Sequence, residues 1–161
     1  MMNKKWLAIA LLMSTSASAN IHFSPDIKLG PYYLGLGAQV GLQDVMGVES
    51  VYGSFGYMDS TFLSDKETMS HYRIGTQYKE QSKRIYSVQL EAGVAKYKGA
   101  RYYWRDKETK ESYGPSIAGA LVFNNSSPFQ VKIGAELSYF KKSYLPSRLA
   151  PNVTLGILMP L

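Results

Sequence analysis

Apolar and polar residues alternate with a period of two in eight stretches of the chain after residue 20. In the clearest stretch, 86–95, Tyr, Val, Leu, Ala and Val alternate with Ser, Gln, Glu, Gly and Ala. A period of two indicates a β-strand with one apolar and one polar face. The chain is therefore predicted to be all-β, with strands over 21–29, 33–42, 51–57, 72–79, 86–95, 113–123, 129–139 and 152–161.

The connections between these stretches alternate in length. Those at 44–47, 80–83 and 124–128 are short, whereas 59–70 and 99–111 are long. We expect the first strand to reverse at Gly30-Pro31 and a last loop over 142–148. Short turns at one end and longer loops at the other are typical of bacterial membrane barrels, in which the short turns face the periplasm. The pattern predicts an eight-stranded antiparallel up-and-down transmembrane β-barrel.

The composition of the two faces predicts which one points inward. The polar faces combine glycines and small residues with charged and amide side chains, namely Gln39, Gln77, Gln89, Gln130, Arg73, Glu91, Lys132 and Glu136. Such a mixture suits a narrow lumen in which charges pair, so the apolar face is expected to meet lipid. The alternative is a soluble periplasmic ligand-binding β-barrel, which would place the apolar face inside to line a cavity.

Aromatic residues lie near both ends of the apolar face. Tyr113 and Phe123 bracket one strand, and Phe129 and Tyr139 bracket the next. At about 3.3 Å per residue and a tilt near 45°, ten residues span roughly 24 Å, close to the apolar band of about 25 Å in outer-membrane barrels. We expect two aromatic girdles, one made by Phe23, Tyr78, Tyr86, Phe123 and Phe129 and the other by Tyr57, Tyr72, Tyr113 and Tyr139.

The first 19 residues have the character of a secretory signal peptide. Lys4 and Lys5 precede an apolar run, and Ala17-Ser18-Ala19 resembles a cleavage site. The predicted organisation is a signal peptide over 1–19 and one outer-membrane barrel domain over 20–161. No stretch approaches the roughly 20 apolar residues of a transmembrane helix, so the expected location is the bacterial outer membrane after export.

Composition excludes several function classes. The chain has no cysteine, which rules out disulfides and thiolate metal sites. Its formal net charge of +6 includes the two lysines of the signal segment, and the remaining basic residues are too dispersed to indicate nucleic-acid binding. We expect acidic partners, such as phosphorylated lipid, and no nucleic acid.

With its signal segment, eight alternating stretches, lumen charges and final strand at 153–161, the chain resembles the small outer-membrane barrels of the OmpA and OmpX class. The resemblance covers the chain after residue 19 and rests on pattern. The resemblance implies the architecture, and the leading hypothesis for function is a monomeric, non-enzymatic barrel with a structural or adhesive role at the cell surface. The expected partners are outer-membrane lipid and lipopolysaccharide, the barrel-assembly machinery, and an anionic surface or host ligand.

An eight-stranded barrel is just wide enough for side chains to fill it, so we expect no open pore. Arg73, Glu91, Lys132 and Glu136 are predicted to form a paired lumen network, because an isolated charge there would be costly to desolvate. A proton or ion path through these charges is the alternative function of the network. Pro25 cannot donate a ladder hydrogen bond, so the first strand is expected to be short, bulged or poorly paired there.

The connection at 99–111 is the candidate surface-binding loop. It combines aromatic residues, which anchor at membrane interfaces, with cations that contact phosphates: Arg101, Tyr102, Tyr103, Trp104, Arg105, Lys107 and Lys110. Its hypothetical ligand is lipopolysaccharide or an anionic host or matrix polymer. The alternative is an aromatic girdle with solvated charges.

A lipid A-modifying barrel enzyme is the alternative function, and it would need a histidine base. Only His22 and His71 occur. Ser70 and His71 are consecutive strand residues and point to opposite faces, while Ser24 shares a face with His22 near the predicted periplasmic end. We therefore expect no enzyme, no cofactor and no metal site.

Overall fold

The chain folds into a closed antiparallel barrel in which each strand pairs with its neighbours in sequence and β1 pairs with β8. The computed structural model describes residues 20–45, 47–62, 65–79, 85–103, 106–123 and 129–160. The strands are β1 (Ile21–Leu29), β2 (Leu34–Val45), β3 (Val48–Phe62), β4 (Asp65–Lys79), β5 (Tyr86–Tyr103), β6 (Asp106–Phe123), β7 (Gln130–Tyr139) and β8 (Leu149–Pro160). The signal segment predicted over 1–19 lies outside the described residues.

The faces are arranged as the alternation predicts, with polar residues in the lumen and apolar residues outside. In β1, His22, Ser24, Asp26 and Lys28 are buried, whereas Ile27 and Leu29 are exposed. Cross-strand pairing joins the outward residues into continuous rows, such as Val88, Leu121, Ile133 and Leu155 across β5 to β8. The barrel therefore has an apolar exterior and a polar core.

The aromatic residues predicted to form girdles lie on the outward face. The end of the barrel far from the termini is here called the distal end. Of the aromatic residues there, Tyr113 is 64% exposed and Tyr72 is 54% exposed. Phe129 and Tyr78 are likewise exposed at the opposite, terminal end. Exposed aliphatic side chains such as Ile74, Leu90 and Ile117 lie between these two levels, as expected for a surface that meets lipid between two interfaces.

The prediction of two long loops, at 59–70 and 99–111, is wrong because paired strands extend into both segments. The segment 59–70 is a β-hairpin formed by the ends of β3 and β4, and 99–111 is a hairpin formed by β5 and β6. Beyond the apolar band the outward residues become polar, as Lys66, Thr68 and Ser70 of β4 do, so the apolar-polar alternation is lost although the backbone ladder continues. The distal end is thus built mainly from strand extensions, and its longest connection is 140–148.

Pro25 weakens the barrel on one side only. It pairs with Ala38 of β2, but the register between β1 and β8 steps from Phe23–Met159 directly to Asp26–Gly156. The expected poor pairing therefore falls at the closure between the first and last strands, where the missing N–H removes a ladder bond.

Among the described residues, no helix is long and apolar enough to cross a membrane.

Candidate functional site

The structure brings three of the four predicted lumen charges into direct contact. Arg73 Nε lies 2.9 Å from Glu91 Oε2, and its Nη2 lies 2.5 Å from Glu136 Oε1. Nη1 of the same guanidinium donates to Ser116 Oγ at 2.9 Å. Strands β4, β5, β6 and β7 are therefore tied together by one side chain, whose planar donors suit two carboxylates at once.

Lys132, the fourth predicted residue, pairs elsewhere. Its Nζ lies 2.8 Å from Asp26 Oδ2. Lys28 contacts Glu136 and lies 3.1 Å from Asp26 Oδ1, so it links the two groups of charges. All six charged side chains are buried, and the three cations balance the three carboxylates.

Asp26 and Lys28 are the members of this network that sequence reasoning missed. Both stand on the polar face of the first alternating stretch, which was a usable signal. What the sequence lacks is the stagger of the strands, which decides that β1 side chains meet those of β7 rather than of a nearer strand.

Amide and hydroxyl side chains complete the network. Gln39 donates to Glu91, Ser54 Oγ donates to Glu91 Oε2 at 2.7 Å, and Gln89 donates to Gln77 at 2.8 Å. The first two donors satisfy acceptor sites of the buried Glu91 carboxylate that would otherwise lack hydrogen bonds. The side chains fill the lumen and fix its geometry.

Both histidines lie in the lumen and are fully buried. His22 makes an edge contact with Tyr52, with ring centroids 5.8 Å apart. His71 Nδ1 lies 3.4 Å from Arg73 Nη1 and 3.7 Å from Glu136 Oε2. In the described part of the chain, no group of three or more acidic or histidine side chains is placed to hold a metal ion.

An apolar cluster closes the distal end of the lumen, and we call it the distal cap. Its largest members are Tyr97 and Phe140, whose rings are 5.5 Å apart. The cap consists of Tyr33, Met58, Met69, Ala95, Tyr97, Phe140 and Ala150, with Leu145 packed against it. It lies between the charged network and solvent at the distal end.

The residues of the predicted surface-binding loop divide between the two faces of the β5–β6 hairpin. Tyr102 and Lys107 are exposed and adjacent, with Lys107 Nζ 5.4 Å from the ring centroid of Tyr102. Arg101 and Lys110 instead pack against Tyr144 in the connection after β7. Tyr103 belongs to β5, but its side chain, Trp104 and Arg105 lie outside what the structure describes.

Tyr144 is the contact that organises this end and that sequence reasoning missed. Arg101 Cζ lies 4.4 Å and Lys110 Nζ 4.1 Å from its ring centroid. Its backbone N–H donates to Tyr97 Oη at 3.1 Å, and its carbonyl accepts from Arg101 at 3.3 Å. No local pattern marks this tyrosine, because its partners come from strands more than 30 residues away in the chain.

A second basic surface faces outward above the apolar band. Lys96 Nζ lies 2.8 Å from Glu111 Oε1 and 5.2 Å from the ring centroid of Tyr113. The hydrogen bond from Lys96 holds the pKa of Glu111 below its ordinary value. At the distal end as a whole, the described basic residues outnumber the acidic ones, the basic residues being Lys66, Lys96, Lys98, Arg101, Lys107, Lys110, Lys141, Lys142 and Arg148.

A cavity of about 330 Å³, here called the distal cup, opens beside Tyr144. Its polar wall contains Asp65, Glu67 and Arg101. Glu67 Oε2 accepts hydrogen bonds from the phenols of Tyr33 and Tyr97. Burial is the main cause that raises the pKa of both phenols, and the neighbouring Glu67 carboxylate raises it further, so both remain donors.

This architecture defines a class. A closed eight-stranded antiparallel barrel with a paired charged lumen and an apolar exterior bounded by aromatic residues is the fold of the small outer-membrane barrels, as the resemblance to the OmpA and OmpX class predicted.

Solved structures with this fold have little sequence in common with the chain. Ail, the attachment invasion locus protein of Yersinia pestis, matches with a TM-score of 0.68 at 12% identity, over 88% of this chain and 96% of Ail. The N-terminal β-barrel domain of Pseudomonas aeruginosa OprF matches at 0.60 and 10% identity, over 87% and 97%. Neisserial surface protein A matches at 0.61 and 7% identity, over 89% and 97%.

Another structure of Ail, in complex with the heparin analogue sucrose octasulfate, matches with a TM-score of 0.61 at 13% identity, over 89% of this chain and 97% of Ail. No family model and no curated protein matches the sequence. The comparisons therefore concern the fold.

Proposed function

We propose that this protein is a non-enzymatic outer-membrane barrel whose distal end binds an anionic glycan at the cell surface. The observation that carries the proposal is the position of the basic and aromatic residues of β5 and β6, which extend beyond the apolar band as paired strands. Phosphorylated lipopolysaccharide and sulfated host polymers share the chemistry that this surface recognises.

The exterior supports insertion in a membrane. Exposed apolar residues such as Ile74, Ile117 and Val153 surround the barrel, whereas exposed patches on soluble proteins rarely exceed a few hundred Å². The lumen holds three ion-paired cations instead of an apolar cavity, which disfavours the soluble ligand-binding barrel. A closed barrel also leaves no unpaired strand edge in the hydrocarbon region.

The polarity of the barrel follows from the same proposal. If the termini lie in the periplasm, the extended β3–β4 and β5–β6 hairpins face outward. Export by the segment 1–19 and folding by the barrel-assembly machinery are parts of this proposal.

The basic residues of β5 and β6 lie at two heights above the apolar band, so they suit anions at both levels. Lys96 and Lys98 stand just above the apolar band, at the level expected for lipid phosphates. Lys107 lies near the hairpin tip, opposite Tyr102, and Lys110 lies one residue pair above Lys98; each of the two is close to an aromatic ring. The complex of Ail with a sulfated sugar supports an anionic glycan as a ligand class for this fold.

The barrel also has features that do not suit a lipid-modifying enzyme. A catalytic histidine must reach its substrate, and both histidines point into the lumen, away from the surface that would meet lipid. The alternative enzyme would thus need its base to act from inside the barrel.

The test is a paired charge reversal on the distal part of the hairpin, Lys107→Glu with Lys110→Glu. Each cation near an anionic surface contributes about 1 kcal/mol, so binding should fall by roughly tenfold or more. Glu108→Lys in the same hairpin should strengthen binding, and Thr109→Ala should leave it unchanged. Heat-dependent gel mobility of each variant reports that the barrel is folded.

Two assays distinguish the sources of the anion. Retention on a heparin matrix measures binding to a sulfated polymer. Flotation with vesicles that contain or lack lipopolysaccharide measures binding to the phosphorylated lipid. Unchanged binding of the folded double variant in both assays would exclude this surface as the site.

A further inference from the structure

We propose that the distal cup binds a basic side chain of an extended peptide segment, with a neighbouring apolar residue of that peptide in the adjoining cavity. This site goes beyond the proposed function, because it selects the opposite charge. Its volume of about 330 Å³ lies at the lower end of the range of ligand pockets.

The electrostatics of the cup favour a cation. Among the described residues that line the cup, the two carboxylates of Asp65 and Glu67 face the guanidinium of Arg101. Arg101 Nε is 3.8 Å from Asp65 Oδ2, and Arg101 Nη2 is 3.9 Å from Glu67 Oε1. These separations exceed hydrogen-bond distance, so the carboxylates retain acceptor capacity toward the cavity.

The cup holds its carboxylates in place. Two phenols donate to Glu67 Oε2, which leaves Oε1 as the oxygen turned toward Arg101. The Asp65 side chain is 39% exposed and so is reachable by a ligand. Arg101 is itself held by the ring and carbonyl of Tyr144, which keeps it from closing fully on the two carboxylates.

The aromatic and apolar walls explain why a peptide fits better than a simple amine. Tyr32 is 63% exposed at the mouth, and tyrosine faces attract cations. A second cavity of about 220 Å³ shares Tyr32, Tyr33, Leu145 and Pro146 with the cup, and its remaining lining is mainly apolar. A compartment that favours a cation therefore adjoins an apolar one, as a basic residue next to an apolar residue would require.

The experiment uses the full barrel in detergent micelles and three probes: acetyl-Leu-Arg-Leu-amide, acetyl-Leu-Gln-Leu-amide and arginine amide. Calorimetric titration should show the arginine peptide binding more tightly than either of the others. Asp65→Asn should weaken the arginine peptide by about fivefold, corresponding to about 1 kcal/mol. Asp59→Asn, a matched change on the outward face of β3, should have no effect.

Arg101 separates this proposal from the glycan-binding proposal. Arg101→Gln removes the competing cation from the cup, so it should strengthen binding of the arginine peptide while weakening retention on heparin. Weaker binding of the arginine peptide to Arg101→Gln would contradict the cup proposal whatever the change in heparin retention, and the glycan proposal would then stand on its own test. Equal binding of the arginine and glutamine peptides, or of arginine amide and the arginine peptide, would also overturn it.

Discussion

Lys132 on β7 pairs with Asp26 on β1 at 2.8 Å, across the intervening strand β8. The pair therefore joins β7 and β1, which lie on either side of the last strand, β8. It lies close to the place where Pro25 interrupts the ladder between β1 and β8. The lumen charges thus support the barrel closure where backbone pairing is weakest.

Asp26→Asn is expected to destabilise the folded barrel by about 3–5 kcal/mol, the usual cost of removing one partner from a buried ion pair. The measurement is urea-dependent unfolding in detergent micelles or vesicles. Adding Lys132→Met should recover part of the loss, because it removes the uncompensated cation.

Asp44→Asn is the control for this prediction. Asp44 is exposed and has a φ of 56°, which asparagine tolerates as well as aspartate does. A loss of stability equal to that of Asp26→Asn would show that the lumen pair has no special weight.

Arginine substitutions on the apolar exterior should report its contact with lipid. Val88→Arg or Ile133→Arg, both in the row that crosses β5 to β8, is expected to cost about 2–4 kcal/mol in a bilayer. Thr109→Arg, exposed on the distal extension of β6, should cost far less. Equal small effects at all three positions, measured by unfolding in vesicles, would contradict the membrane assignment.

The distal cap should be sensitive to loss of its central ring. Phe140 is fully buried against Tyr97, so Phe140→Ala is expected to cost about 3–5 kcal/mol. The connection 140–148 should also become more susceptible to trypsin, which cleaves after its lysines and arginine. Lys141 is an exposed neighbour of Phe140 and serves as the control. Lys141→Ala should leave both the stability and the rate of cleavage at the remaining sites unchanged.

Glu111 should titrate below the ordinary range of a glutamate side chain. Its pKa is lowered from 4.5 by the hydrogen bond from Lys96, so any stabilisation from the pair is present above pH 4.5 and is lost as the pH falls through the folded-state pKa. Carboxyl NMR titration of wild type and Lys96→Met measures this, with the pKa rising in the variant. An unchanged pKa would show that the contact is not maintained in solution.

Lipid A should not be altered by this protein. Cells that express wild type, His71→Gln or no barrel are expected to give the same lipid A mass spectrum, because the buried His71 imidazole is paired within the lumen and away from lipid. A modified species present with wild type and lost with His71→Gln would establish the enzyme instead.

The membrane-facing part of the fold could be predicted because lipid outside and charge inside impose opposite polarity on consecutive residues. The stretch 86–95 carries this pattern without interruption and lies within β5. The pattern ends where water replaces lipid, and for that reason β3 to β6 extend further than the alternation indicated.

The lumen site could be predicted only as a set of residues on one face. Arg73, Glu91 and Glu136 do meet, but the partner of Lys132 is Asp26, because strand stagger decides which levels of the barrel face each other. The role of Tyr144 depends on the path of a connection that folds over the barrel end, and no local sequence preference specifies that path.

The extension of β5 and β6 as paired strands affects how this protein would bind a ligand. Backbone order in the hairpin is established when the barrel folds, so association need not include the entropy loss that a flexible loop would suffer. Recognition would then depend on side-chain contacts and desolvation. Substitutions on the hairpin surface should therefore change the rate of ligand dissociation and leave the backbone of the free protein in place.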